Sequence, residues 1–308
     1  MKHSPKFFLT VLAAVTLALT GCTDAADWSQ KTNGETALPD YDHHKISPQP
    51  EIAALLPEDI VESGQLIVAA STDYAPAEFL DSSGNPIGYD VDFNQALGRV
   101  LGLETTTESA AFDSIITNIG SKYDIGISSF SITSDREATV NMISYINVGS
   151  MFNVPAGNPQ NLDVSDHLNL CGHTIGVQVG TAQESAMLED AEACEAAGRD
   201  SLEVRSYSTQ SEATTGLVGH VIDATYSDST VAGYAVKQTG GAVITVGELE
   251  AAAPQGIVVP QDEEELTQAL QAATQYLIDE GYLEEIYTAW GLASDSAIET
   301  AELNPLVD

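Results

Sequence analysis

The chain has 308 residues, 43% of them apolar and 18% charged, which is enough for one large core or two smaller ones in an ordinary globular protein. Ten Lys and Arg face 46 Asp and Glu, a formal net charge of -36. Phosphate neutralisation needs basic clusters and attraction to anionic lipid needs polybasic stretches, so this balance argues against nucleic acid as a partner and against charge-driven membrane binding.

Met1 to Lys6 is short and basic, and Phe7 to Leu19 is an uncharged apolar run. The run is too short for a comfortable membrane span and fits the core of a signal peptide. Leu19-Thr20-Gly21-Cys22 follows directly and resembles the bacterial lipobox, in which the Cys is acylated and becomes the mature N-terminus. Residues 1–21 are therefore expected to be a lipoprotein signal peptide. Cys22 is the expected lipidation point, and the protein is expected outside the cytoplasm, held at the cell membrane by this lipid alone. Several acyl chains would anchor it stably, each buried methylene adding about 0.8 kcal/mol. With Cys22 acylated, Cys171 and Cys194 remain of the three cysteines. An oxidising compartment permits a disulfide between them, with a contribution of roughly 3 kcal/mol in the chain-entropy model. Two free buried thiols are the alternative. No Cys/His spacing reads as a metal site, and no cofactor is implied.

Thr23 to Pro57 is polar, with scattered Pro, Asp and Asn, and residues 22–60 read as a lipidated flexible tether. His43-His44 reads as solvated within it. The globular part is expected from Val61 to Ala293, with 294–308 a loose acidic tail. Leu66 to Ala70 suits a buried strand. Ser83-Gly84-Asn85-Pro86 reads as a hairpin turn between Glu78–Leu80 and Ile87–Tyr89. Asp90 is placed to cap a helix running to about Leu101. Strand Glu104–Thr107, helix Asp113–Ser121 and strand Asp124–Ser128 follow. The rhythm recurs with strand Thr174–Val177, a helix from Thr181, strand Leu202–Tyr207, a helix from Ser211 and strand Ala224–Tyr226. Gly256–Val259 reads as a strand and Glu263–Leu277 as an amphipathic helix. This alternation predicts α/β architecture with largely parallel sheets.

Several segments carry a family resemblance. Tyr74-Ala75-Pro76 and Gly88-Tyr89-Asp90-Val91-Asp92 come first, then Phe112-Asp113-Ser114-Ile115-Ile116. The run Asp124 to Arg136, with its Ser-x-Ser-Ile-Thr-x-x-Arg core, is the most distinctive. Gly176 to Glu184, Asp223 to Asp228 and Tyr287 to Gly291 complete the set. In this order, over about Val61 to Ala293, the chain resembles the polar-amino-acid solute-binding proteins of bacterial ABC importers (solute-binding family 3). The resemblance implies a two-lobed, periplasmic-binding-protein-like α/β fold of the type II, Venus-flytrap kind, joined by two crossing segments. Mapped here, lobe 1 is 61–151 plus 254–293 and lobe 2 is 152–253. The implied function is capture of a polar amino acid between closing lobes and delivery to the ABC transporter permease subunits, by a monomer.

The resemblance also implies roles for particular residues. Arg136 matches the Arg that grips the ligand carboxylate, a task suited to a planar guanidinium. The expected folded part holds only six basic residues: Arg99, Lys122, Arg136, Arg199, Arg205 and Lys237. Taken alone, Arg136 also reads as an exposed helix Arg paired with Glu137. Ser129 and Ser131 match ligand-contacting positions, and both also suit turns and helix caps. Thr181 opens a helix whose N-terminal amides favour an anion. The next position, commonly a hydroxyl residue in the family, is Ala182 here. Asp228 matches the carboxylate that binds the ligand ammonium, against the alternative of one more surface acid. Tyr74 and Phe112 match aromatic walls, with core packing an equal reading for Phe112. Asp73 and Glu78 could meet a cationic side chain.

An enzyme is the rival class, because the fold also hosts exported dehydratases. No nucleophile elbow, zinc helix or phosphate loop supports it, and His173 and His220 fit no triad spacing. A ligand-sensing surface receptor is the third reading.

Overall fold

The computed structural model describes residues 38–39 and 41–305. The signal-peptide and lipidation positions, Cys22 included, lie outside them. The described chain opens with short helices α1 (Pro50–Ala53) and α2 (Glu58–Ser63), then strands β1 (Gln65–Ala70), β2 (Asp73–Tyr74), β3 (Glu78–Leu80) and β4 (Pro86–Ile87). Helix α3 (Tyr89–Leu101), β5 (Glu104–Ser109), α4 (Phe112–Asn118), β6 (Ile125–Ser131) and α5 (Ser134–Glu137) follow. Strand β7 (Val140–Pro155) leads to β8 (Thr174–Gln178), α6 (Ala182–Ala196), β9 (Glu203–Tyr207), α7 (Gln210–Val218), β10 (Ala224–Asp228) and α8 (Ser229–Gln238). Strand β11 (Val243–Pro260) returns to α9 (Glu264–Asp279) and α10 (Tyr282–Trp290).

One eight-stranded sheet runs in the order β5-β1-β6-β11-β7-β10-β8-β9. Strands β5, β1 and β6 pair in parallel, as do β10, β8 and β9. Between these halves lie β7 and β11, an antiparallel pair of 16 and 18 residues that runs through both lobes. Their register shifts between Val246 and Glu250, between Glu250 and Ala253, and between Gln255 and Gly256. The ladder is interrupted where the chain passes from one lobe to the other, which is where a bend needs the fewest bonds broken. The sequence reading found only Gly256–Val259 of β11 and none of β7. Strand β7 is buried on both faces and mixes Asn and Ser with its apolar residues, so it shows neither period.

Each lobe has its own core, although Val231 of α8 in lobe 2 joins the lobe 1 cluster. Phe93 stacks on Tyr145 at 4.8 Å in lobe 1, and Phe152 stacks on Tyr226 at 4.3 Å in lobe 2. The second lobe is also tied by the Cys171–Cys194 disulfide, with Cα atoms 5.6 Å apart. Helix α3 starts one residue before the expected cap. Its N-cap is Gly88, at φ 134°, and a Cβ there would meet the Ala77 carbonyl oxygen at 2.0 Å. Asp90 is therefore not the cap; it lies inside the first turn, fully buried.

Two boundaries need correction. The segment read as tether is folded from Tyr41 on: Ile46 is fully buried in the lobe 1 core. His43 is not simply solvated, since its Nε2 lies 3.1 Å from the Asp92 carbonyl oxygen. Lys45 pairs with Glu285 on α10. The segment read as a loose tail also docks: Ala301 is buried, Leu303 bridges to Ile143, and Asn304 Oδ1 accepts from the Met142 N–H at 2.7 Å. Isolated apolar residues in a polar run show no period, so pattern reading passes over them. Replacing Ile46 with Ala should cost about 2–5 kcal/mol in urea unfolding; a change within about 0.5 kcal/mol would mark the segment as peripheral.

Candidate ligand-binding site

The C-terminal ends of the parallel strands from both lobes converge on one cleft, the usual place for a site in open α/β sheets. Tyr74, Phe112, Ser129, Ser131, Arg136, Thr181 and Asp228 all line it, together with Gln178, Ala182 and Gln183. All seven candidate positions from the sequence thus come together. The enclosed space is about 10 Å³, the room of about one water, because the lobes are closed on each other.

Arg136 is set at the end of lobe 1 by α5, which Thr133 caps by accepting from the Arg136 N–H. Its Nη1 donates to the Ser131 carbonyl at 2.7 Å, and its Nη2 crosses to the Gly180 carbonyl of lobe 2 at 3.0 Å. The guanidinium lies 5.6 Å from the Phe112 ring centre and 5.3 Å from that of Phe130, within cation–π range. Crowding by protein pushes its pKa down to about 10, with Asp228 acting the other way. Arg136 does not pair with Glu137, and no ion pair among the described residues involves it. Two of its five N–H donors are committed, and three remain. Phe112 stacks on Phe130 at 4.6 Å within a core cluster and also lines the cleft.

From lobe 2, Thr181 is the N-cap of α6. Its Oγ1 accepts from the Glu184 N–H at 3.1 Å, while Glu184 Oε2 accepts from the Gly180 N–H at 2.7 Å. The first-turn amides of Ala182 and Gln183 have no helical acceptor, so the missing hydroxyl at position 182 leaves main-chain donors at the cleft. Asp228 ends β10, fully buried. Its Oδ1 accepts from Gln183 Nε2 at 2.8 Å and its Oδ2 from Gln255 Nε2 at 2.7 Å. Tyr74, from lobe 1, accepts the Asp228 N–H at 3.2 Å. Burial pushes the Asp228 carboxyl up to about 6, against the hydrogen bonds from Gln255, Tyr74 and Gln183.

Further bonds cross the cleft: Gln178 Nε2 to Ser71 Oγ at 3.2 Å, Ser211 Oγ to the Asp73 carbonyl at 3.2 Å, and the Tyr89 and Thr230 hydroxyls at 3.3 Å. Gln178 Oε1 is buried and has no donor. Asp73 is half-buried beside the cleft, its carboxyl pushed up to about 6 by desolvation and then by the charge of Glu212. Glu78 is not at the cleft. It is fully buried behind the wall, accepting from Ser128 Oγ at 2.5 Å. Ser129 turns its N–H and hydroxyl away from the cleft, to Asp90. The three glutamines escaped sequence reading because a neutral amide carries no charge signal, and Gln255 lies on the unread part of β11. Among the described residues no cluster of three or more His, Cys, Asp or Glu could hold a metal, and no helix is long and apolar enough to cross a membrane.

The family model described as bacterial extracellular solute-binding proteins, family 3, matches residues 66–293. The arginine-binding protein ArgT of Corynebacterium glutamicum is 30% identical over 295 residues, 95% of this chain and 93% of that protein. A solved structure of an ancestral arginine-binding protein bound to arginine superposes with a TM-score of 0.68 at 29% identity, covering 74% of this chain and 98% of that one. The ancestral amino acid-binding protein AncCDT-1, a precursor of cyclohexadienyl dehydratase, superposes at 0.67 and 26% identity, covering 77% and 99%. With its two lobes, its crossing strands and this match over most of the folded chain, the protein belongs to the bacterial extracellular solute-binding proteins, family 3.

Proposed function

We propose that this protein captures a cationic amino acid, arginine first among candidates, in the interlobe cleft and passes it to the membrane subunits of an ABC importer. The observation that carries the reading is the pair of unmatched opposite charges on facing lobes. Arg136 has three free donors for an α-carboxylate, and the first-turn amides of α6 add to them. Asp228 is buried with amides on both oxygens and no ion pair among the described residues, the arrangement an α-ammonium completes. For the side chain, Gln178 Oε1 offers an unused buried acceptor, and Asp73 with Glu212 supplies negative charge beside it. The arginine in the names of related proteins supports the same choice. An amino acid needs more room than the closed cleft provides, so binding passes through an open form.

The cleft lining contains no His, Cys or Lys, which favours binding over catalysis even though one structural neighbour is a dehydratase precursor. Outside the described residues, Cys22 is read as the lipid anchor that keeps this binder at the membrane.

Calorimetry should show arginine binding, with the ligand recovered unchanged, and Arg136→Ala should weaken it by about 2–5 kcal/mol. Undiminished affinity in that variant would remove Arg136 from the site. The affinity should also fall as pH drops below about 6. Asp228 is raised to about 6 in the closed cleft, so lowering the pH through that value protonates it and removes the counter-charge of the ammonium, up to tenfold per pH unit. A flat profile between about pH 7 and 4.5 would show that Asp228 does not meet the ligand charge. Cys22→Ser should abolish incorporation of labelled fatty acid in a bacterial host; retained label would place the lipid elsewhere.

A further inference from the structure

Behind the cleft wall, the molecule buries two acids against each other. Glu78 on β3 and Asp90 on α3 are both within 1% of full burial. Asp90 Oδ2 accepts three bonds: the Ser129 N–H at 2.8 Å, the Ser129 hydroxyl at 3.1 Å and the Tyr145 hydroxyl at 3.0 Å. Glu78 Oε1 accepts from Ser128 Oγ. The remaining oxygens, Glu78 Oε2 and Asp90 Oδ1, reach no N–H or hydroxyl among the described residues, and the two acids are neighbours: the Asp90 N–H donates to the Ala77 carbonyl at 2.9 Å, and the consecutive residues Ser128 and Ser129 hold one acid each. No ion pair among the described residues reaches either acid.

Two neighbouring acids buried without a cation cannot both stay charged; one of them holds a proton. Three donors and a place in the first turn of α3 favour charge on Asp90. Glu78, with one donor, is the better holder of the proton. The groups around the pair do not supply a positive charge: Asp73 and Tyr74 from β2, Tyr89 from α3, Tyr145 from β7, Tyr287 from α10 and Asp228 from β10. What the pair holds is Ser129, which sits at φ 51°, a left-handed conformation costly for a residue with a Cβ. Both of its polar hydrogens bind one Asp90 oxygen.

We propose that Glu78 is a positioning residue: it keeps a proton at neutral pH and donates it to Asp90, so that Asp90 holds Ser129, and with it the cleft-facing end of β6, in its strained form. This use of Ser129 rests on the proposed ligand reading; the proton on Glu78 does not. Burial and the charge of Asp90 both drive the Glu78 carboxyl well above its usual range.

The test compares wild type with Glu78→Gln, whose amide donates to Asp90 without titrating. A carboxyl raised in the folded state contributes stability that is complete below the unfolded pKa, about 4.5, and lost as pH rises toward the folded value. Above about pH 4.5 the wild-type folding constant should therefore lose an extra tenfold per pH unit relative to E78Q, the signature of one retained proton. Parallel slopes would overturn the proposal. If E78Q does not fold, infrared spectra of wild type at about pH 8 decide: a protonated carboxylic acid band supports the proposal and its absence overturns it. At neutral pH, E78Q should hold arginine within about threefold of wild type, while Glu78→Leu, which has no donor, should lose about tenfold or more. Equal affinity in E78L would overturn the positioning role. A wild type that binds no amino acid would fail the ligand reading, while the slopes still decide the proton.

Discussion

Asp228 has to keep a carboxylate inside a protein with no ion pair among the described residues, only the charge of Arg136 across the cleft. Isolated, such a charge would cost many kcal/mol and would be lost to protonation. Amides from Gln183 and Gln255 take one oxygen each, which lowers that cost without cancelling it. The two donors come from different places. Gln183 rides on the first turn of α6 in lobe 2, and Gln255 lies on the crossing strand β11. The charge is thus tied at once to its own lobe and to the segment about which the lobes move. Tyr74 adds a third tie, from lobe 1. In the proposed reading a ligand ammonium supplies the missing charge. Its contribution exists only when the lobes are together, which is the differential interaction that closure requires.

The remaining cross-cleft contacts are individually modest. Arg136 to Gly180, Gln178 to Ser71, Ser211 to Asp73 and Tyr89 to Thr230 are single hydrogen bonds between groups that water would satisfy in an open form. The neutral ones are worth about 0.5–1.5 kcal/mol net each, and the one from the Arg136 guanidinium about 1.5–3 kcal/mol. Opposing them is the ease of bending at the register shifts of β7 and β11. That suits a trap: a closed state held too firmly would not admit a ligand, and a ligand shifts an equilibrium only by its preference for one state.

Much of this was legible in the sequence, and for a definite reason. The cleft residues Tyr74, Ser129, Arg136, Thr181 and Asp228 were legible because the motifs that carry them resemble those of a known family. The alternation of apolar runs and amphipathic stretches gave most of the strands and helices. Strand β7 was lost because double burial erases alternation. Ile46 and Ala301 were lost because single apolar residues in polar runs have no period, though each completes the lobe 1 core. Position alone could not assign Glu78. It follows a ligand-facing turn in sequence, yet β3 turns it behind the wall, where a second acid awaits it.

That displacement alters the electrostatics of the proposed site. With Glu78 withdrawn behind the wall, the acids beside the cleft include Asp228, Asp73, with Glu212 contributing charge to the latter, and Asp113, which packs against Gly180. Arg136 is the sole cation among the lining residues. A zwitterion with a neutral side chain would match Arg136 and Asp228 and leave Asp73 uncompensated, desolvated further as the lobes shut. A second positive charge on the ligand would offset that cost where it arises. A second negative charge would add to it, next to an unpartnered Gln178 carbonyl that can accept but not donate. In the proposed reading, discrimination among amino acids in this cleft rests as much on what the buried acids repel as on what they attract.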